Sequence, residues 1–336
     1  MASAGTAGDT PVVVRIVGPG GDFDTTDWAN HFPGGRLDRG DIRFVFGGSG
    51  ESDVVIALGY SKTDVRVRVR PGGLWAWHME PHLPHPYSSC FDLVFSHLDR
   101  PGEKRFVTAP PVLDWWVEKS YDDLLAMAPI EKTHAVSAIA SMRAHIDGHR
   151  KRLEFIERVQ EELPEVDLFG RGRANSLTDK WEGLAPYKYT LAIENSSMPH
   201  YWTEKISDAF LAYSVPLYFG APNIGDYFPD GSYIWLPMDE PDRAIDVIRD
   251  TLANDDYESR LDALVQARNT LLTTHSLAAR VSSEVIARRD DLLSQPRRRR
   301  VVHGRRMTEN GWIRGGGVRK NLGMQTWRLI RALKGR

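Results

Sequence analysis

The sequence predicts an α/β protein of two domains, each an open sheet flanked by helices, followed by a basic tail. Three observations predict it. Short β-branched runs closed by Gly or Pro fill the first third of the chain. After Pro129 such runs alternate with segments of helical periodicity, which is the pattern of parallel sheet order. Past Gln295 the charge changes abruptly.

Val12 to Val17 is a β-branched run ending in Gly18-Pro19-Gly20-Gly21, a buried strand and its turn. Arg43 to Phe46, Asp53 to Leu58, Leu74 to Trp77 and Phe91 to Phe95 repeat the pattern, giving a first α/β domain over residues 1–135. Val65 to Arg70 alternates valine with arginine, so an extended chain puts the valines on one face and the arginines on the other. That is a half-buried strand with a solvated face, the alternative being a dedicated anion site.

The second domain, residues 136–295, opens with a helix from His149 to Leu163, apolar at Leu153, Ile156, Val159 and Leu163 and stopped by Pro164. Val166 to Phe169 and Tyr189 to Glu194 are strands, and Thr203 to Leu211 is a helix. Val215 to Phe219 and Tyr233 to Leu236 are further strands, and helices fill residues 242–292.

In residues 296–336 thirteen Lys and Arg stand against the single acid Glu309, a charge of +12, while the remainder sums to −14. Trp327, Ile330 and Leu333 keep helical spacing beside Arg328, Arg331 and Lys334. A basic amphipathic segment of this kind suits an anionic membrane surface. A flexible solubilising tail and nonspecific adhesion to nucleic acid are the alternatives, and specific nucleic-acid binding is not expected, because no aromatic platform is interleaved.

With 41% hydrophobic and 26% charged residues, the composition is that of an ordinary globular protein. No apolar run reaches the roughly 18 residues of a membrane span, and Met1 to Thr10 has no signal-peptide pattern. Cys90, the single cysteine, excludes an internal disulfide and a multi-cysteine zinc site. The expected location is the cytoplasm, with any membrane contact at the inner face of the plasma membrane.

Chemistry concentrates in one stretch. Tyr187 to Ile193 is an apolar run that ends in Glu194-Asn195-Ser196, and Tyr201-Trp202-Thr203-Glu204-Lys205 opens the next helix. Polar groups thus converge at the carboxyl end of a strand beside a helix start, where open α/β sheets bind phosphorylated ligands. Val215-Pro216-Leu217-Tyr218-Phe219-Gly220 follows. Two further segments join the set: Arg150-Lys151-Arg152 at the start of the helix before Asp167 to Gly172, and Trp77-His78-Met79-Glu80-Pro81 in the first domain.

Together these segments resemble the α-1,3/1,4-fucosyltransferases of glycosyltransferase family ten. The family pattern runs aromatic-Lys-aromatic, Glu-Asn-Ser, Tyr-x-Thr-Glu-Lys, Val-Pro and a Gly-Pro-like turn. Here that turn is Gly220-Ala221-Pro222-Asn223, with one residue inserted. The likeness is dense over roughly residues 150–240 and thinner over 74–120.

The resemblance implies a GT-B architecture of two Rossmann-like α/β domains facing across a cleft, with the donor held mainly by the second and the acceptor by the first. It implies an inverting transfer of L-fucose from GDP-β-L-fucose to a hydroxyl of a glycan or glycolipid acceptor, in α-1,3 or α-1,4 linkage. Lys205 and Arg152 match the cations on the donor diphosphate, and Glu204 matches the carboxylate on the ribose hydroxyls. Asn195 and Tyr201 match positions lining the nucleotide site, while Glu194 is assigned to binding, either directly or by fixing its loop. Glu80 matches the general base. No cofactor and no metal are expected, GDP-fucose being a co-substrate.

The chemistry asks for the same residue types: fixed cations where the leaving diphosphate gathers charge, and a carboxylate to take the acceptor proton. Another nucleotide sugar on the same scaffold, or a noncatalytic glycan- or nucleotide-binding module, is the alternative function. For Glu80 the alternative is a surface carboxylate in a Pro-rich loop, and partial burial would raise its pKa toward base range. His78, His82 and His85 invite a metal, but the prolines between Pro81 and Pro86 forbid the helical His spacing such sites use. Trp115-Trp116 is core or a sugar platform. Gly170 to Arg173 either approaches phosphate or turns the chain.

Overall fold

A computed structural model describes residues 11–18, 28–59, 63–81, 90–112, 115–140, 147–170, 172–173, 175–308 and 311–314. The chain forms two compact units, Met1–Ala109 with Val281–Arg336, and Pro110–Arg280. These divisions differ from the sequence boundaries after residues 135 and 295. Trp115, Val117, Tyr121 and Leu124 bury themselves in the core of the second unit, which draws that boundary forward. At the other end, the last helices and a basic strand return to the first unit.

In the first unit, β1 (Val12–Val17), β2 (Asp38–Arg39), β3 (Ile42–Phe46), β5 (Val54–Leu58), β7 (Leu74–Trp77), β8 (Leu93–Ser96) and β9 (Phe106–Thr108) make one sheet. Its order is β2-β3-β1-β5-β7-β8-β9, parallel except for β2 against β3. The inner strands β5 and β7 are buried at every position, which is why they read as unbroken apolar runs. A smaller sheet joins β4 (Gly50–Glu51), β6 (Val65–Val69) and β15 (Arg298–Val302).

The valine-arginine alternation settles in β6. Val67 and Val69 are buried while Arg66 and Arg68 face solvent, as a half-buried strand requires, but Arg70 departs from the expected solvated face and turns inward to pair with buried Asp53. Its antiparallel partner β15 comes from the segment assigned to a tail. Two arginines of that segment, Arg297 and Arg300, have structural partners. Arg297 donates to buried Asp53 at 2.8 Å, and Arg300 donates to the Cys90 carbonyl at 2.8 Å and to Asp92 at 3.3 Å. A run of like charges reads as solvated until the opposing carboxylates are placed. Residues 315–336, with the amphipathic stretch, lie outside the described residues.

The second unit holds five parallel strands, β10 (His134–Ile139), β11 (Val166–Phe169), β12 (Tyr187–Ile193), β13 (Val215–Phe219) and β14 (Ile234–Trp235). Their order is β11-β10-β12-β13-β14. From β10 the chain crosses to β11 on one side, then to β12 on the other. The carboxyl ends of β10 and β12 therefore form the topological switch point, the crevice where open α/β sheets bind ligands.

Helix α1 (Tyr121–Ala126) starts at a capping box of Ser120 and Asp123. α2 (Asp147–Glu162) joins β10 to β11 and buries Phe155, Ile156 and Val159, before Leu163-Pro164 end it. α3 (Glu204–Leu211) follows β12, and α4 (Pro241–Asn254) and α5 (Tyr257–Thr270) follow β14. A π-helical turn, Leu271–His275, leads to α6 (Leu277–Ile286) and α7 (Arg289–Leu293). No helix among the described residues is long and apolar enough to cross a membrane.

Candidate functional site

The site is built where β12 ends. Two glycines make room for it. A Cβ on Gly148, in the first turn of α2, would stand 1.9 Å from the Asn195 carbonyl oxygen, so only glycine lets the loop after β12 lie against that helix. A Cβ on Gly220, just past β13, would stand 2.7 Å from Glu194 Cγ and 2.1 Å from the Tyr218 hydroxyl. The close approach at Gly148 places Arg152, one turn further along α2, so that its guanidinium donates to Asn195 Oδ1 at 2.7 Å.

Glu194 is 1% exposed. Its Oε1 accepts from the Thr203 amide at 2.8 Å and the Thr203 hydroxyl at 2.7 Å, and its Oε2 lies 3.1 Å from Lys205 Nζ. Thr203 caps α3 through its side chain and also receives Lys205 Nζ at 3.0 Å. Lys205 reaches Glu204 Oε1 at 3.2 Å. The ammonium is thus gripped from three sides, at the N-terminus of a helix.

Burial pushes the Glu194 carboxyl up, with Lys205 pulling against it and Glu204 adding to the rise. Burial acts on Glu204 in the same sense, but Lys205 and then Lys180 outweigh it and hold that carboxyl down at about 2. Glu204 is therefore the firm anion of the pair. Burial lowers Lys205 less than Glu194 and Glu204 raise it, so it stays charged. Arg152 moves below its usual value through burial, opposed by Glu194 and Glu204.

Of the residues expected from sequence, Arg152, Glu194, Asn195, Glu204 and Lys205 come together here, and buried Tyr201 lies in the connecting loop with its field on Arg152. Glu194 is buried, with its carboxylate turned toward Thr203 and Lys205. Sequence reasoning missed Thr203, Lys180 and Asp208. Thr203 carried the signal of an N-cap position ahead of Glu204-Lys205. Lys180 and Asp208 carried none, because the cavity they share with Arg152 and Lys205, walled by Ile139 and Ile193, is formed by five separated segments.

Glu80 belongs to the first unit, past the carboxyl end of β7, and it is exposed, contrary to the expected partial burial. Its neighbour His78 is buried, with Nδ1 2.9 Å from the Ser96 hydroxyl. His82 and His85 lie outside the described residues. Among the described residues, no cluster of three His, Cys, Asp or Glu could hold a metal ion. The tryptophan pair splits: Trp115 is core at 4% exposed, while Trp116 is 66% exposed. Gly170 turns the chain, its Cβ position lying 2.0 Å from the Ala140 carbonyl oxygen.

The loop before α3 is supported from behind. His200 adopts a left-handed φ of 62°, fixed by Asn223 Oδ1 accepting from its amide at 2.7 Å and by the Tyr227 hydroxyl at 2.6 Å from Nδ1. Trp202 packs edge-on to Tyr227, Phe228 and His275. Arg280 donates to His275 Nδ1 at 2.7 Å, so that nitrogen is unprotonated and the ring neutral.

Burial, reinforced by Arg280, holds His275 down at about 4. An unfolded chain takes up this proton near pH 6.5 and the native one only near 4, so stability falls as pH drops between those values and levels off below. The loss should total on the order of 3 kcal/mol in urea denaturation, and His275→Gln should remove most of that slope. An unchanged slope in the variant would discard His275 as its source.

Comparison with known proteins places these observations. Residues 130–244 match the family model for the glycosyltransferase family 10 (fucosyltransferase) C-terminal region. An α-(1,3)-fucosyltransferase of Helicobacter pylori is 35% identical over 75 residues, 22% of this chain and 16% of that one. The matched stretches span between 10% and 24% of the length of the curated relatives.

Two crystal structures of α1,3-fucosyltransferase align over most of both chains at 18% identity. The one with GDP covers 88% of this chain and 94% of its own, with a TM-score of 0.53. The one with GDP-fucose covers 80% and 86%, with a TM-score of 0.50. Likeness at this level concerns the fold, which is of the GT-B type.

Proposed function

We propose that this chain, whose residues 130–244 are a glycosyltransferase family 10 (fucosyltransferase) carboxyl-terminal domain, transfers L-fucose from GDP-β-L-fucose to a hydroxyl of a glycan or glycolipid, inverting the anomeric centre. The observation that carries the proposal is the pair of cations at the switch point, Arg152 fixed by Asn195 and Lys205 fixed by Glu194, Thr203 and Glu204. Fixed cations beside a helix N-terminus are what a departing nucleoside diphosphate requires. The GDP and GDP-fucose of the two structural relatives favour guanosine as the base.

In this reading Lys205 and Arg152 hold the diphosphate, Glu204 takes the ribose hydroxyls, and Asn195 and Tyr201 line the nucleotide. The acceptor oxygen attacks C1 of the fucose from the face opposite the phosphate. The C1–O bond to the diphosphate breaks, its electron pair leaves with GDP, and the acceptor proton passes to the Glu80 carboxylate. Stabilising the leaving charge falls to these cations, which stand preorganised by Asn195, Glu194, Thr203 and Glu204.

GDP release from GDP-fucose, measured over galactose- and N-acetylglucosamine-containing acceptors, tests the activity. An α-L-fucoside in the product spectrum is the expected outcome. Binding of GDP without turnover on any acceptor would leave a nucleotide-binding module. UDP stabilising the protein in place of GDP would transfer the assignment to another sugar nucleotide.

For the carboxyl terminus we propose contact with an anionic membrane surface through residues 315–336. Because β15 is committed to the first unit, the deletion that tests this must begin after Arg314. It should lower sedimentation with phosphatidylserine vesicles and leave GDP binding unchanged. Equal sedimentation of the full and shortened chains would end the membrane assignment.

A further inference from the structure

The cavity at the switch point contains a cation with no part in the assignment so far. Lys180 opens the 3-10 turn Lys180–Gly183 in the β11–β12 connection. Its Nζ lies 2.8 Å from Asp208 Oδ2, on α3 one turn past Glu204. Asp208 is 2% exposed, and its other oxygen accepts from the Trp116 amide at 2.9 Å. Lys180, by contrast, keeps a side chain 31% exposed and shares the cavity wall with Arg152 and Lys205.

This arrangement is costly if its purpose is only to hold the fold. A buried ion pair returns little net stability against its desolvation, and an apolar pair of the same volume would do as well. Lys205 also repels Lys180, and three cations around one cavity repel one another in the empty site. That repulsion becomes attraction when a polyanion enters. We propose that Lys180 is a third cation for the donor diphosphate, with Asp208 as the positioning residue that fixes its ammonium at the cavity wall.

The proposal rests on the reading that a nucleoside diphosphate binds at the mouth of this cavity, whose interior of about 40 Å³ is too small to enclose it. Three cations from α2, the β11–β12 connection and α3 then surround the leaving group. As the C1–O bond breaks and the electron pair moves to the diphosphate, Lys180 adds its charge to those of Arg152 and Lys205 at the shared cavity wall. Charge also stays with Lys180, because Asp208 and Glu204 together outweigh the burial that disfavours it.

Calorimetric titration of the full chain with GDP, and separately with guanosine, tests this. Lys180→Met should weaken GDP binding at least about 10-fold, leave guanosine binding unchanged, and flatten the dependence of GDP affinity on salt. Lys180→Arg should restore most of the loss. Should Lys180→Met fail to fold because Asp208 is stranded, Lys180→Met/Asp208→Asn removes both partners and keeps the pocket neutral.

GDP affinity equal to wild type in either folded variant overturns the proposal, as does an equal loss for guanosine and GDP, which would make the role structural. Wild type that binds UDP or ADP but not GDP refutes the guanosine donor instead, and the Lys180 comparison is then read with that diphosphate. Wild type that binds none of the three overturns both.

Discussion

Lys205→Ala should lower kcat/KM for GDP-fucose by about 10²–10³-fold, the scale on which a single preorganised charge-stabilising donor acts. It should also destabilise the second unit by roughly 3–5 kcal/mol, because Glu194 at 0% side-chain exposure loses its counter-ion while keeping only the Thr203 contacts. The two effects separate in a double variant. Lys205→Met/Glu194→Gln removes both charges, so the melting temperature should return most of the way while transfer stays lost. Recovery of activity along with stability would mean that Lys205 serves the fold and not the donor.

Glu80→Gln should reduce transfer by about 10²–10⁴-fold and leave GDP affinity within error of wild type. Glutamine keeps the size of the side chain but carries neither the negative charge nor the basic oxygen that takes the proton. The melting temperature of the variant, read on the same preparation, separates a loss of transfer from a loss of fold. Steady-state turnover and GDP titration on the same preparation make the comparison. Near-normal turnover would remove Glu80 from the mechanism and send the search for the base to other carboxylates of the first unit.

The exposed position of Glu80 shows the limit of arguing burial from neighbours. Trp77 and His78 are buried as their types suggest, but the chain leaves the sheet after β7, and two residues are enough to bring a side chain back to the surface. Tryptophans 115 and 116 make the same point: adjacent identical residues have opposite fates, one in the core and one in solvent. Composition and type predict only the average of such a pair.

The strands were legible because apolar runs of four to seven residues bounded by Gly or Pro leave few other folds open, and β5, β7, β12 and β13 sit where those runs lie. Helix α2 was legible from its spacing and its Pro164 stop. The basic segment was not. Arg297, Arg298, Arg299 and Arg300 look like a solvated run, and Arg298 and Arg299 are exposed, but pairing with β6 and the carboxylates of Asp53 and Asp92, more than 200 residues away in the chain, tie Arg297 and Arg300 to the first unit.

By itself the sequence determined the α/β class, the parallel order implied by alternation, and the residue types gathered after β12: Glu194, Asn195, Glu204 and Lys205. Those are local properties, fixed by periodicity, capping and the end of an apolar run. Only the tertiary structure decided that Glu194 spends both oxygens inside the protein, that Arg152 reaches Asn195, and that Lys180 and Asp208 share the cavity. Charge balance in a buried site is a property of distances across segments, because Coulomb interaction and desolvation depend on where each group comes to rest and not on its place in the chain.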